Sequence, residues 1–591
     1  MTKNVTVGIG GFLGHDGNAA IMVDGDLVAS IQEERLTRIK HDSSFPTLSL
    51  AECLKLAGIN YDQVTDLVFA EKPVQSKLFD YTDYNSNTFT KIIGRIIPEN
   101  LRGHYVCKAR KLFPKAKFHY AWHHLAHIAG AFHTSKFEKS AFLCLDGKGE
   151  DYSASIGIID DQDIRIIWEQ PYENGLGLFY TLITQYLGFL SYGSEYKVMG
   201  LAPYGKPVFV DKLSELFSTN DDGGFQLKFK ASFKFEKMRQ LLPEISNVLG
   251  VSLRNSKDPI TEDHVNIANS LQTIFEEEVL KMARFARDET KEENLLFCGG
   301  CAQNCVVAGN LRQARIFNNI FNSPVGGDMG SALGAIALFE RTRKKTAFKL
   351  DVRGFYLGGL PGPVPESAFK YKLNYNGYLH SFIAKQIANG KIVAWVRGRM
   401  ELGARALGAR SIFADPRQPG MQSRLNLAVK FRESFRPFAP AILSEKVGEW
   451  FDSSDESDYM NYTAKLLPHL RADVPASFDT LRQRLEFDRC SIASVVHVDF
   501  SARLQTVRKE VHPDFYILLS SFYEETGVPI LINTSFNVSG QPIVNTAKEA
   551  WECFINTDID LLVVEDSVFI NPFEKTKEEK LQWLQQFASF A

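Results

Sequence analysis

Apolar residues near the start of the chain fall in short runs, separated by glycine and acidic turns. Val5-Thr6-Val7-Gly8-Ile9 reads as one strand and Ala19-Ala20-Ile21-Met22-Val23 as a second. Asp24-Gly25-Asp26 then forms a tight turn into a third strand over residues 27–31. The pattern returns at Ala141-Phe142-Leu143-Cys144-Leu145, with Asp146-Gly147-Lys148-Gly149-Glu150 as the turn and residues 154–159 as the returning strand. From Asp263 to Thr290 the spacing changes, and Ile267, Leu271, Ile274, Phe275, Val279, Leu280 and Met282 predict a helix. That helix leads into a buried strand, Leu295-Leu296-Phe297, then to Gly299-Gly300 and later to Gly326-Gly327-Asp328-Met329-Gly330. A strand, a glycine turn and a following helix suit nucleotide binding. Leu357-Gly358-Gly359-Leu360-Pro361-Gly362-Pro363 reads as a linker. Beyond it, Ile392-Val393-Ala394-Trp395-Val396 and Pro529-Ile530-Leu531-Ile532 are strands of a second unit. The expectation is an α/β chain with two domains, residues 1–357 and 364–591.

Composition narrows the partners. The chain has 591 residues, too many for one core, and its 67 Lys+Arg against 70 Asp+Glu leave a net charge of -3. This balance gives no reason to expect nucleic acid or an anionic membrane as the main partner. The run Arg341-Thr342-Arg343-Lys344-Lys345 reads as a solvated loop. No apolar stretch is long enough to span a bilayer, and the first residues lack the pattern of a signal peptide. Eight cysteines, mostly inside apolar segments, read as reduced thiols, so a cytoplasmic location is expected.

The candidate chemistry is concentrated in a few segments. Residues 119–133 carry five of the 13 histidines, and His123 and His127 share a face at helical spacing. An isolated pair of this kind is more often packing than ligation. Asp146 after a buried strand and Asp328 between glycines add carboxylates, and two imidazoles with oxygen donors suit Fe(II), Mn(II) or Zn(II). Cys298, Cys301 and Cys305 read as packing residues around a phosphate turn, with no fourth cysteine nearby to complete a cluster. His15 lies in the first turn, where it could face a phosphate or a reacting hydroxyl, and Lys40 sits in a dense charge cluster. In the second unit, Arg397, Arg399, Arg405, Arg410, Arg417, Lys430, Arg432 and Arg436 crowd into one stretch, as in sites for phosphate or carboxylate. Ser535 and Asn537 follow a buried strand toward the same pocket.

Both strand–turn–strand blocks suit the actin, sugar-kinase and Hsp70 architecture. The motifs GHDGNAAIMVDGDLVASIQEERLTRIKH, HHLAH with LDGKGE, GSEYKVMGLAPYG and GGDMGSALGA, then GRMELGARALGARSIFADPR, KFRESFRPFAP and NTSFN, run in order along nearly the whole chain. Together they resemble the O-carbamoyltransferases related to NodU, TobZ and cephamycin carbamoyltransferase. The resemblance implies an N-terminal Kae1-like domain of the actin-like ATPase class and a C-terminal YrdC-like domain. It implies that the second domain makes carbamoyladenylate from ATP and carbamoyl phosphate, with Mg(II) accompanying the ATP. The first domain then passes the carbamoyl group to the hydroxyl of a small-molecule alcohol. Carried over by position, His123, His127, Asp146 and Asp328 hold a divalent metal, Fe(II) by family precedent. His15 and Lys40 are catalytic, and Lys430, Arg432, Ser535 and Asn537 match the nucleotide-site signature, with Arg405 and Arg436 beside them. Ser539 and Gln541 depart from the residues common in the family. A sugar-kinase-like phosphotransferase and a Kae1-like tRNA-modification or assembly partner are the alternative readings.

Overall fold

The computed structural model describes residues 3–11, 16–71, 101–191, 193–229, 235–344, 347–432, 435–475, 478 and 481–587. Its first part holds two sheets with one plan. In the first, β1 (Val5–Gly10), β2 (Asn18–Val23) and β3 (Asp26–Gln32) form an antiparallel meander. Parallel strands β4 (Asp66–Phe69) and β5 (Lys117–Tyr120) add to the far side of β1, giving the order β3-β2-β1-β4-β5. In the second, β6 (Lys139–Gly149), β7 (Tyr152–Asp160) and β8 (Ile164–Pro171) repeat the meander. A small hairpin, β9 (Phe217–Thr219) with β10 (Phe225–Leu227), lies apart from the sheets. Then β11 (Asn294–Cys298) and β12 (Asn319–Asn322) join β6 in parallel, so the order is β12-β11-β6-β7-β8. The repeated hairpin of the sequence is therefore the visible part of a whole repeated sheet.

A helix follows the last strand of each sheet: His123–Thr134 after β5, and Ser331–Lys344 after β12. The two helices cross with backbones in contact. A Cβ at Gly334 would lie 2.1 Å from the Ala126 carbonyl oxygen, and one at Gly130 would lie 3.1 Å from the Gly334 Cα. Only glycine permits that approach. The segment 341–344 belongs to the end of this second helix, and Arg341 is buried there over Phe132. That corrects the loop to a helix end with Arg341 buried, while Thr342 and Arg343 are exposed, Lys344 is half-buried and Lys345 lies outside the described residues.

The remaining strands are β13 (Lys372–Leu373), β14 (Val393–Val396), β15 (Arg410–Ala414), β16 (Ala439–Leu443), β17 (Thr463–Lys465), β18 (Ser501–Arg503), β19 (Gln505–Val507), β20 (Ile530–Ser535), β21 (Leu561–Val564) and β22 (Ser567–Ile570). Eight of them form a mixed sheet in the order β13-β22-β21-β14-β15-β20-β16-β19. Both faces are buried. Along β14, Val393 and Trp395 enter one apolar cluster while Ala394 and Val396 enter another, the alternation a covered strand requires. The seam between the two parts is polar and continuous. Arg399 donates to the Val28 carbonyl at 2.8 Å, Arg35 to the Gly403 carbonyl at 2.7 Å, and Tyr204 to the Phe435 carbonyl at 2.9 Å. Among the described residues, no helix is long and apolar enough to cross a membrane.

Candidate functional site

The crossing of the two helices sets the first cluster. His123 and His127 occupy successive turns at the start of helix His123–Thr134, and Asp328 opens the short turn that enters helix Ser331–Lys344. Asp146 lies on β6, where the pairing with β7 shifts register after Leu145 and turns the strand. Asn18 of β2 fastens the Asp328 turn: its Nδ2 donates to the carbonyls of Asp16 and Asp328, both at 2.8 Å, and its Oδ1 accepts from the Ala332 amide at 2.9 Å. One ligand atom from each of His123, His127, Asp146 and Asp328 then lies within 4.8 Å of the other three.

The donor geometry fits a divalent cation. The Nε2 atoms of His123 and His127 are 2.9 Å apart, and each lies 3.2 Å from the same Asp146 oxygen, Oδ2. Asp328 Oδ1 is 3.2 Å from His123 Nε2 and 3.5 Å from His127 Nε2. The two ring nitrogens are within hydrogen-bond distance of one another, and two neutral imidazoles with two carboxylates also form a suitable cage for a divalent cation. The titration tendencies report the strong mutual field of the carboxylates and imidazoles when no cation is present. Burial works to raise the Asp146 carboxyl, but hydrogen bonds from His123 and His127 outweigh it and hold the group well below the usual carboxylate range. Burial works to lower His123, and the charge of Asp328 with the hydrogen bond to Asp146 lifts it well above the ordinary imidazole value. The cluster concentrates negative charge on a central point. Glu71 stands behind it, 3.9 Å from His123 Nδ1.

The second cluster has the opposite character. Lys430 ends the π-helical turn Leu425–Lys430 and is buried. Its ammonium donates to Asn537 Oδ1 at 2.8 Å, the Asn537 carbonyl at 2.9 Å and Ser535 Oγ at 3.3 Å. Arg432 donates to Asn426 Oδ1 at 2.7 Å and lies 4.7 Å over the Phe438 ring. Burial lowers the Lys430 ammonium well below its ordinary value, and the charges of Arg432, Arg436 and Lys40 lower it further. Arg405 is disfavoured first by burial, then by Arg503 and Arg436. Since guanidinium groups keep their proton in proteins, the strain on Arg405 is a charge held at a cost that an anion would relieve. Arg503, at the end of β18, buries its Nε with no hydrogen-bond partner among the described residues.

The structure thus brings together the four metal-site residues, and separately Lys430, Ser535 and Asn537. Arg405 and Arg436 both act on Arg503 or Lys430, while Arg432 stays beside Lys430. Lys40 lies between the clusters, its ammonium 5.9 Å over the Tyr196 ring. His15 lies outside the described residues. Four of the crowded arginines do not belong to this site. Arg397 pairs with Asp514 and Asp566, Arg417 with Asp415, Arg399 donates to carbonyls of Val28, Leu357 and Gly358, and Arg410 is buried on carbonyls including Asn545 and Gly398. They tie strands and the seam together, because a buried backbone carbonyl needs a donor as much as a phosphate does. One residue escaped the sequence reading: Arg503 sits apart from the arginine-rich stretch. Cys298 and Cys305 are buried and Cys301 is half-buried; the fold brings a fourth cysteine, Cys144, opposite Cys298 in the β6–β11 pairing, where the sequence shows none nearby, and Cys305 begins a helix capped by Asn304.

Comparison with known proteins gives the family for both parts of the chain. The carbamoyltransferase N-terminus pattern matches residues 6–337 and the carbamoyltransferase C-terminus pattern residues 384–571. The nodulation protein NolNO of Sinorhizobium fredii is 33% identical, covering 93% of this chain and 78% of its own. An uncharacterized protein of Synechocystis is 37% identical over 97% of this chain and 98% of its own. The 3'-hydroxymethylcephem-O-carbamoyltransferase of Streptomyces clavuligerus is 27% identical, with 91% and 94% covered. The chain belongs to the carbamoyltransferase family and is an enzyme that transfers carbamoyl groups.

Proposed function

We propose that the chain is an ATP-dependent O-carbamoyltransferase that works in two steps. Residues 364–591 form carbamoyladenylate: carbamoyl phosphate is hydrolysed with release of orthophosphate, and the carbamate so formed attacks the α-phosphorus of ATP with release of pyrophosphate. Residues 1–357 then pass the carbamoyl group to the hydroxyl of a small-molecule alcohol. The observation that carries this reading is the pairing of a buried His–Asp cluster with a lysine–arginine cluster around the buried Lys430 in a single chain.

Each step has residues suited to it. Lys430, Arg405, Arg436 and Arg432 bind the phosphate groups and stabilise the charge that grows on the leaving pyrophosphate. Ser535 and Asn537 fix the Lys430 ammonium by accepting from it, so it meets the donors already oriented. At the other site, His15 takes the proton of the acceptor hydroxyl, and Lys40 supplies a positive charge near the departing nucleotide phosphate. His123, His127, Asp146 and Asp328 would hold a divalent metal, Fe(II) by family precedent, which when bound supplies Lewis-acid polarisation of the bound donor. The burial of His123, His127 and Lys430 limits access of water to the mixed anhydride. A small alcohol as acceptor is supported by the cephem O-carbamoyltransferases among the relatives.

The test is a product assay on the purified protein with ATP and carbamoyl phosphate. Pyrophosphate release that depends on carbamoyl phosphate is the expected result. ADP formation without pyrophosphate would sink the reading in favour of a kinase-like phosphotransferase.

A further inference from the structure

The last two arginines of GRMELGARALGAR stand five residues apart in opposite surroundings. Arg410, at the start of β15, is fully buried and saturated. Its guanidinium donates to the carbonyls of Asn545 at 2.9 Å, Ala409 at 3.0 Å, Gly398 at 3.1 Å and Gly359 at 3.3 Å. Arg405 is half-buried, and its guanidinium makes no hydrogen bond or ion pair among the described residues. The loop between β14 and β15 therefore carries Arg405 without being held by it.

Glu401 holds that loop. Its side chain is buried, and one carboxylate oxygen, Oε1, accepts from the amides of Leu407 at 2.8 Å, Arg410 at 3.2 Å and Ala409 at 3.3 Å. The chain turns at Gly403 (φ 110) and Gly408 (φ 118), which glycine takes without strain, so residues 402–409 close back onto the Glu401 side chain. Two strands of the eight-stranded sheet grip the same loop from behind. Asn533 of β20 donates to the Ala406 carbonyl at 3.2 Å, and Gln505 of β19 donates to the Leu407 carbonyl at 3.1 Å. The backbone after Arg405 is thus pinned at residues 406, 407, 409 and 410, while Ala404 before it is exposed. Every anchor lies on one side of Arg405, and the guanidinium is left open. A carboxylate repels phosphate, so Glu401 has no direct part in binding one. What it can do is fix the place of Arg405 before an anion arrives, which spares the chain that ordering on binding.

We propose that Glu401 is a positioning residue for the activation step: it closes the 402–409 loop so that Arg405 is held ready to receive the phosphates of the donor. The inference rests on the two-step reading and deepens it. Within one motif, Arg405 meets the anion, Glu401 aims it, and Arg410 fastens the strand.

The test uses the full-length protein and two readouts, pyrophosphate release from ATP with carbamoyl phosphate and calorimetric binding of inorganic pyrophosphate. Glu401→Ala lowers the first and weakens the second, each about tenfold. Glu401→Gln keeps an oxygen in the place of Oε1 and gives up no bond at Oε2, which has no hydrogen-bond partner among the described residues. It recovers both readouts to within about threefold of wild type. In an Arg405→Met background, Glu401→Ala brings no further loss, because the group it positions is gone. A carboxylate needed only for folding, or to balance the charge of Arg410, would add its loss to that of Arg405→Met. Additive losses therefore overturn the inference, as does a Gln variant no better than Ala. Should Glu401→Ala fold poorly, Glu401→Asp withdraws the oxygen by one methylene and reads the same loss. If the wild type binds pyrophosphate but releases none from its donors, the two-step reading fails, while calorimetry on the single and double variants still decides the role of Glu401. A wild type that neither releases nor binds pyrophosphate overturns both.

Discussion

The two buried charge clusters are opposites in composition and in completeness. Around His123 and His127, carboxylates face imidazoles, and the group is closed except for its centre. Around Lys430, the charges of Arg432, Arg436 and Lys40 crowd the ammonium, whose oxygen partners are a neutral amide, a hydroxyl and a carbonyl. On the proposed function, the first arrangement suits a resident cation and the second suits an anionic substrate that binds and leaves. The contrast in charge is what the proposal uses to tell the two sites apart.

The largest effect that could break this contrast comes from the metal cage. His127→Ala should remove bound metal, measured by plasma mass spectrometry, and lower carbamoyl transfer on the order of 10³-fold. Pyrophosphate release should survive, and metal retained at wild-type stoichiometry would refute the cage. A smaller effect separates the two kinds of arginine. Arg405→Met should lower pyrophosphate release on the order of 10²-fold. It should leave the melting temperature of the ligand-free protein unchanged or higher, since a self-repelling buried charge is gone. Arg397→Ala should do the reverse, costing about 1–2 kcal/mol of stability while pyrophosphate release stays within about twofold. Equal behaviour of the two variants would erase the distinction.

A separate effect, on stability alone, probes the seam. His512 receives the Tyr356 hydroxyl on Nδ1 at 2.6 Å and directs Nε2 to the Asp458 carbonyl at 3.0 Å. Burial pushes its imidazole down to about 4, so the ring is neutral in the folded protein. The unfolded value is about 6.5, which puts the folded value on the low side. The stabilisation is therefore complete above that pH and is lost as pH falls toward 4, by roughly 3 kcal/mol. A melting series from pH 7 to 4 should show the decline, and His512→Gln should flatten part of it. An unchanged slope would place the acid sensitivity elsewhere.

Much of this was legible from spacing. His123 and His127 declare themselves by their helical interval, and Asp146 by the buried strand that precedes it. The paired meanders appear as two similar runs of apolar residues. What spacing does not carry is partnership. Arg397, Arg399, Arg410 and Arg417 look like Arg405 in sequence, and only the fold reveals that their acceptors are Asp514, Asp415 and backbone carbonyls. Arg503 was silent because it acts through residues distant in the chain. The parallel additions of β4, β5, β11 and β12 were equally hidden, since each is a short apolar run whose neighbour is set by tertiary packing.

The backbone contact of Gly130 with Gly334 has a consequence for how the metal cage came to hold mixed donors. The two helices that meet there are equivalent elements of the repeated sheets, each following its fifth strand. The contact thus lies on the relation that interchanges the two halves of the first part. One helix opens with imidazoles and the other is preceded by a carboxylate, so the fold keeps a symmetry that the side chains have given up. A duplicated scaffold supplies two matching walls at fixed distance. Divergence of a few residues at that boundary is enough to turn matching walls into complementary ones.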